Sequence, residues 1–438
     1  MFVSLSIKNL FSFYEKQTFS MEATRIKEFE LTNCFQHKNK NFFKVASIHV
    51  LNGAGKSNLF LTLFELRKLI LNSQMMGTKI LKRFEAFKFF KHSIEEPIEI
   101  EFVFSIEEID YCFSLHILND NIIYEKLTKK LTKEIIIYER TDSEWDALNI
   151  SKKYLFENKI SMISKEFKTG KILVLSLLLE MDLEKEDLFE KIREFFEDKL
   201  IILNGANETH GLSITHNFLD KDPNNKNRLL KLMKKYCLGM SGFLYQSKEE
   251  EIPFEELKNN KKIPEELLKK IEAELRENSS SMKISKKDVK ISTVYDVYDK
   301  DLKKVDEQIL NFEKYTSEGT KSLYNITGAI YEVLDNGGVL IIDEALGLLH
   351  PIIIEDIVKL FNNPQENPKN AQIIMTGQNP NIMDTAQLRR DQIFLFTKTF
   401  YGATRIEKLS DYKSIKTSSS FSKNYLSILR HKLDAKEV

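Results

Sequence analysis

Several things are scarce in this sequence, and each shortage narrows what the chain can be. Cys34, Cys112 and Cys237 are the only cysteines, odd in number and far apart; this excludes a disulfide scaffold or a clustered zinc site and fits a reducing compartment. Net charge is absent, since 65 Lys and Arg balance 65 Asp and Glu. No whole-molecule field therefore steers the chain to nucleic acid or membrane, although local patches survive such a sum. No apolar run approaches the roughly 20 residues of a membrane span. The start, Met1-Phe-Val-Ser-Leu-Ser-Ile-Lys, lacks a basic leader followed by a long apolar stretch and reads as a first strand. Internal repeats and long low-complexity tracts are missing too. A soluble, cytoplasmic protein is the expectation, with no membrane partner. Core material is abundant: 42% hydrophobic residues and 31 Phe among 438 residues, enough for a large α/β core with an inserted lobe.

Along the chain, Phe43 to Val50 reads as a strand that runs into Leu51-Asn-Gly-Ala-Gly-Lys-Ser57, and Asn58 to Leu71 follows with apolar residues at helical spacing. Residues 98–150 alternate like an antiparallel lobe, with Asn119-Asp-Asn as a turn, and Phe84, Phe87, Phe89 and Phe90 are expected to cover part of it, an exposed aromatic binding surface being the lesser alternative. Helical spacing dominates from about 160 to 282, including Leu188–Lys199, Lys226–Cys237 and Pro264–Glu277, interrupted by Gly205, Gly211, Pro223 and Gly239; a compact insertion suits this better than a coiled coil. Lys283 to Lys304 is a charged return with β-prone pieces. Strands then alternate with helices: Val339–Ile342, a helix from Pro351, Ala371–Met375 and Gln392–Phe396. This order predicts a mostly parallel sheet covered by helices. The expected division is 1–158 and 283–438 for the two parts of the core and 159–282 for the helical insertion.

Two motifs carry chemistry. In Asn52-Gly-Ala-Gly-Lys-Ser57, glycines let backbone amides close around phosphate, Lys56 neutralises the β and γ phosphates, and Ser57 is a Mg²⁺ ligand. Asn52, Gly53, Ala54, Gly55, Lys56 and Ser57 are therefore the expected nucleotide cradle. The first glycine of the usual pattern is replaced by Val50, a residue that tolerates positive φ badly and fits only if it stays extended. The second motif, Val339-Leu-Ile-Ile-Asp-Glu344, delivers Asp343 to the end of a buried strand as a second Mg²⁺ ligand and offers Glu344 as the base for an attacking water.

Taken in order, Phe11-Ser-Phe13, the glycine loop, Ser317-Glu-Gly-Thr-Lys321, Leu340-Ile-Ile-Asp-Glu344, Leu349-His-Pro351 and Leu388-Arg-Arg-Asp-Gln-Ile-Phe394 resemble the ABC ATPase superfamily. The resemblance is strongest to stand-alone bacterial AAA-like ATPases grouped with overcoming-lysogenization-defect and abortive-infection proteins. It implies an α/β, ABC-type P-loop NTPase head with an antiparallel β lobe and a compact helical insertion, acting as a Mg²⁺-dependent ATPase. By the same resemblance Ser317, Glu318 and Gly319 form the signature turn that reaches the γ-phosphate on an opposite head, which implies a homodimer or higher assembly. From the residues alone, Ser317 caps a helix. His350 falls in the dimer-contact loop, preceded by an unusually apolar Ala345-Leu-Gly-Leu348, and Gln378 stands where relatives carry a catalytic histidine. Antiviral defence through an effector or toxin partner is implied as well. Two rivals stay open: an ATP-gated scaffold with little hydrolysis, which Val50 and Gln378 favour, and a DNA-maintenance ATPase. The basic residues Lys398, Arg405, Lys408, Lys413, Lys416, Lys423, Arg430 and Lys432 leave DNA or RNA contact undecided against a solvated face.

Overall fold

A computed structural model describes the chain except residues 51–52, 143–147, 152–169, 181–186, 205–207, 252, 259–267, 269–271, 273–284, 344–345, 378, 416–418 and 435–438. It divides into one unit of Met1–Ala206 with Tyr331–Val438 and a second of Asn207–Ile330. Most of the expected helix Pro264–Glu277 lies outside the described residues.

The first unit is organised around a six-stranded sheet in the order Leu200–Asn204, Val339–Asp343, Gln372–Gly377, Val45–Val50, Ile393–Lys398, Thr404–Lys408. The first five strands run parallel and Thr404–Lys408 closes the edge antiparallel. Their β-branched runs follow from burial on both faces: every residue of Val339–Asp343 is buried. The helix Lys56–Leu81 leaves the strand Val45–Val50 and breaks its helical dihedrals at Asn72 (φ −137°).

A seven-stranded antiparallel sheet makes up the lobe, in the order Leu148–Ile150, Glu134–Arg140, Asn121–Lys130, Ile109–Leu118, Ile98–Ile106, Phe2–Lys8, Gln17–Ser20. Its tight turns carry two consecutive left-handed residues, Glu107–Glu108 (φ 47° and 65°) and Asn119–Asp120 (φ 50° and 59°), the geometry that matches the twist of hairpin strands. Aromatic rings join lobe to core: Phe2 meets Phe19 at 5.8 Å and Phe19 meets Phe394 at 4.4 Å. Phe84 and Phe87 are buried as expected, whereas Phe89 is 69% exposed. Glu125, fully buried, accepts from the amides of Val174 (2.8 Å) and Leu175 (2.9 Å) and from Tyr138 Oη (2.7 Å). This ties the lobe to the helix Val174–Glu180, whose N-terminal dipole suits a carboxylate.

In the second unit, the helices Glu208–Lys221 and Pro223–Tyr236 accompany a three-stranded antiparallel sheet, Met240–Glu251, Ser285–Tyr298 and Lys304–Asn311. The charged return expected from Lys283 to Lys304 contains the strand Ser285–Tyr298. Asp222 caps Pro223–Tyr236 by accepting from the Asn224 amide at 2.8 Å. The helix Glu318–Asn336, which belongs to this unit as far as residue 330, packs closely on Glu208–Lys221. A Cβ at Gly328 would lie 2.6 Å from Thr215 Oγ1, and a Cβ at Gly211 2.9 Å from the Asn325 carbonyl.

Candidate functional site

The parallel strands end on one edge of the sheet, where open α/β sheets bind ligands. Val50 is the last residue of its strand, in register with Phe396, and keeps an extended backbone, so the missing first glycine demands no positive φ. Leu51 and Asn52 lie outside the described residues. Gly53 (φ 79°) and Gly55 (φ 93°) then adopt left-handed conformations that turn the chain into the first turn of Lys56–Leu81. An Ala at position 55 would suffer twice, from that φ and from a Cβ that meets Thr404 Oγ1 and lies 2.5 Å from Ser12 Oγ. Ala54 is buried, Lys56 half-buried and Ser57 exposed. The start of a 26-residue helix, beside a lysine, has the dipole and free amides that suit an anion.

Three side chains missed by sequence reasoning hold the loop. Thr404 Oγ1 donates to Ser12 Oγ at 2.7 Å and also contacts the Ala54 carbonyl oxygen at 3.0 Å; Asn58 Nδ2 donates to Ser12 Oγ at 2.7 Å. The backbone repeats the tie, the Thr404 amide donating to the Ser12 carbonyl at 2.7 Å. Ser12 sat inside the Phe11-Ser-Phe13 motif without an assigned role, and no local pattern marks Thr404. Beneath the loop, buried His49 shares a 2.8 Å hydrogen bond with Ser47 Oγ, and burial lowers its pKa to about 3. It is neutral at physiological pH.

Asp343 ends the strand Val339–Asp343, and the strand Gln372–Gly377 separates it from the glycine-loop strand. Two interstrand spacings amount to roughly 10 Å. The carboxylate is buried, and its Oδ1 accepts from Thr376 Oγ1 at 3.2 Å. Oxygen donors of this kind, the Ser57 hydroxyl and the Asp343 carboxylate, fit a hard divalent cation. Glu344 and Gln378 lie outside the described residues. The apolar loop after position 344 turns inward: Leu346 and Leu349 are buried and line, with Met375 and Ile382, a cavity of about 60 Å³, while Leu348 is 58% exposed. His350 Nδ1 accepts from the Ile352 amide at 3.3 Å and caps the helix Pro351–Asn362.

In the second unit, Ser317 precedes Glu318–Asn336 and caps it, Oγ accepting from the Thr320 amide at 3.3 Å. Glu318 pairs with Lys321 at 2.9 Å. Ser317 and Glu318 are exposed, and Gly319 is half-buried in the helix.

Against this geometry, the family model described as "AAA domain, putative AbiEii toxin, Type IV TA system" matches residues 210–384. The chain resembles an AAA/ABC-type ATPase domain. The match spans the Ser317 turn and Asp343 and begins after the glycine loop; of these, the glycine loop and Asp343 share the six-stranded sheet. Among solved structures, the SMC head domain from Thermotoga maritima is similar at 14% identity, covering 93% of this chain and 98% of that one, with a TM-score of 0.41. The Smc head domain from Pyrococcus furiosus, with an extended coiled coil and bound to the C-terminal domain of ScpA, is similar at 12% identity, covering 98% of each chain, with a TM-score of 0.37. No curated protein matches the sequence.

The Leu388–Phe394 motif has a structural role. In Leu388-Arg-Arg-Asp-Gln, buried Arg389 grips Asp391 with two hydrogen bonds of 2.9 Å and donates to the Glu28 carbonyl at 2.9 Å. Asp391 accepts from Thr24 Oγ1 at 2.6 Å, and Gln392 Nε2 donates to the Val45 carbonyl at 2.8 Å. This network pins the start of Ile393–Lys398 to the N-terminal segment and to the glycine-loop strand. Two of the late basic residues are engaged within the fold: Lys398 Nζ donates to the Gly402 carbonyl at 2.7 Å, and Lys408 lies over the Phe43 and Phe394 rings at 5.2 Å, its pKa lowered by burial. Among the described residues no group of three or more His, Cys, Asp or Glu is placed to hold a metal, and no helix is long and apolar enough to cross a membrane.

Proposed function

We propose that the chain binds ATP with Mg²⁺ at the carboxyl edge of its parallel sheet, hydrolyses it, and couples the nucleotide state to pairing of two copies and control of an effector in bacterial antiviral defence. One observation carries the proposal: the doubly left-handed glycine loop leading into Lys56–Leu81 and the buried carboxylate of Asp343 share one sheet edge. Lys56 and the loop amides hold the β and γ phosphates, and Ser57 and Asp343 hold the metal, which supplies charge neutralisation when bound. Glu344 orients water and accepts its proton. Ser317 to Gly319, a capped helix start, offer a site for the phosphate of a second head. The defence role is supported by the name of the matching family model. A scaffold with little hydrolysis is the second reading, favoured by Gln378 in place of a histidine, since glutamine cannot take up a proton.

The test is phosphate release from ATP over a protein concentration series, with Lys56→Ala and Glu344→Gln beside the native chain. Release that rises faster than linearly with protein, is lost in Glu344→Gln while ATP binding persists, and disappears with binding in Lys56→Ala is the expected result. Equal turnover in Glu344→Gln overturns the catalytic assignment. ATP binding without release in any protein moves the conclusion to the scaffold.

A further inference from the structure

The helix Pro223–Tyr236 of the second unit departs from the charge balance of the rest of the chain. It carries Lys226, Arg228, Lys231, Lys234 and Lys235 and no Asp or Glu, in a sequence with as many acids as bases. At about 100° per residue, Asn224, Asn227, Arg228, Lys231, Lys234 and Lys235 fall within an arc of about 120° on the helix surface. The buried residues Asn225, Leu229 and Met233 take the opposite side. Arg228 is half-buried and the other five members of the arc are exposed. Lys226 lies outside the arc, its ammonium over the Tyr245 ring at 5.6 Å.

Other lysines of this unit have acidic partners. Lys304 pairs with Asp296 at 2.8 Å and with Glu307 at 2.7 Å, Lys321 pairs with Glu318 at 2.9 Å, and Lys287 pairs with Asp220. Among the described residues, Lys231 and Lys234 pair with no carboxylate. The helix dipole accounts for cations in the last turn, Lys234 and Lys235, but Arg228 and Lys231 lie further in. Cations three and four residues apart repel one another along this arc, and a polyanion laid over it relieves that repulsion.

The composition of the arc selects the kind of polyanion. It holds no apolar side chain and no aromatic ring. A protein partner needs an apolar centre with buried anchors, where lysine is depleted, and a single nucleic-acid strand needs rings on which its bases stack. A convex face of Lys, Arg and Asn fits the phosphate rows of a duplex, which those side chains contact. From Asn224 to Lys235 the face runs about 16 Å at about 1.5 Å per residue. A helix of that kind enters the wide major groove of B-form DNA and not the narrow one of A-form RNA. We propose that the face from Asn224 to Lys235 is a docking surface for duplex DNA, held through its phosphates without regard to sequence. Its residues are none of those assigned to ATP.

Fluorescence anisotropy of a short labelled DNA duplex over a salt series tests this with the native chain, the double variant Lys231→Gln with Lys234→Gln, and Lys226→Gln. The native chain should bind with a dissociation constant on the order of micromolar and a log–log salt slope of about −3 to −4, as four phosphate contacts require. The double variant should bind roughly tenfold more weakly at low salt, with a slope shallower by about 2, while Lys226→Gln stays within about twofold of native. Both sites are exposed, so thermal melting and ATP binding should remain native in the double variant. Unchanged DNA affinity in the double variant overturns the proposal, and so does an equal loss in Lys226→Gln. Duplex RNA or polyglutamate bound as tightly as duplex DNA overturns it as well.

Discussion

The glycine loop and the Ser317 turn are both helix starts suited to phosphate, yet they are built in opposite ways. The loop is held by Ser12 and Thr404, residues 392 positions apart in the sequence, and by Asn58, through hydrogen bonds that are buried or partly buried. The turn is held largely by its own neighbours: Ser317 Oγ lies 3.0 Å from Thr320 Oγ1, and Lys321 pairs with Glu318, with Ser317 and Glu318 exposed and Thr320 and Lys321 half-buried. A local motif in solvent keeps its shape with little help from the fold, whereas the loop depends on three distant chain segments arriving together. Damage near the loop should therefore cost stability and binding at once, and damage at the turn should cost function with little stability.

Gly55→Ala tests this most severely. Left-handed strain and overpacking against Ser12 and Thr404 should lower unfolding stability by about 2–4 kcal/mol in urea titrations and abolish ATP binding. Gly319→Ala, inside a helix and without positive φ, should change stability by less than about 1 kcal/mol; comparable losses in the two variants would erase the contrast.

Acid is the next largest perturbation. Folding holds His49 neutral, its pKa lowered to about 3 by burial, so the unfolded chain binds one more proton between about pH 6.5 and pH 3. The contribution is complete above pH 6.5 and drains away as the pH falls through that window, by at least about 2 kcal/mol. His49→Gln should flatten that part of the urea-midpoint profile between pH 7 and pH 4, and an unchanged slope would place the titration elsewhere.

Thr404→Val removes a hydroxyl that serves the loop without touching nucleotide. A stability loss of about 1–3 kcal/mol together with weaker ATP binding is expected, and binding that stays intact would mean the loop keeps its shape unaided. The smallest structural effect should come from Ser317→Ala, about 1 kcal/mol or less. ATP affinity should hold in that variant while turnover at high protein concentration drops. If affinity drops and turnover per bound ATP does not, the turn does not serve a second head.

What the sequence determined by itself was the set of locally encoded features. Apolar runs marked the strands Val45–Val50, Val339–Asp343 and Gln372–Gly377 to within a few residues, glycines marked the loop and the turn before Val339, and Ser317 stood where a helix start needs a cap. These are legible because backbone dihedrals and side-chain periodicity depend on residues a few positions apart. Only the tertiary structure decided that Phe84 and Phe87 are core while Phe89 is surface, that Arg389 and Asp391 are a buried clamp, that Lys408 covers aromatic rings, and that Ser12 and Thr404 shape the glycine loop. Burial and long-range hydrogen-bond partnership arise when segments hundreds of residues apart are packed together, and no window of neighbouring residues encodes which of them will meet.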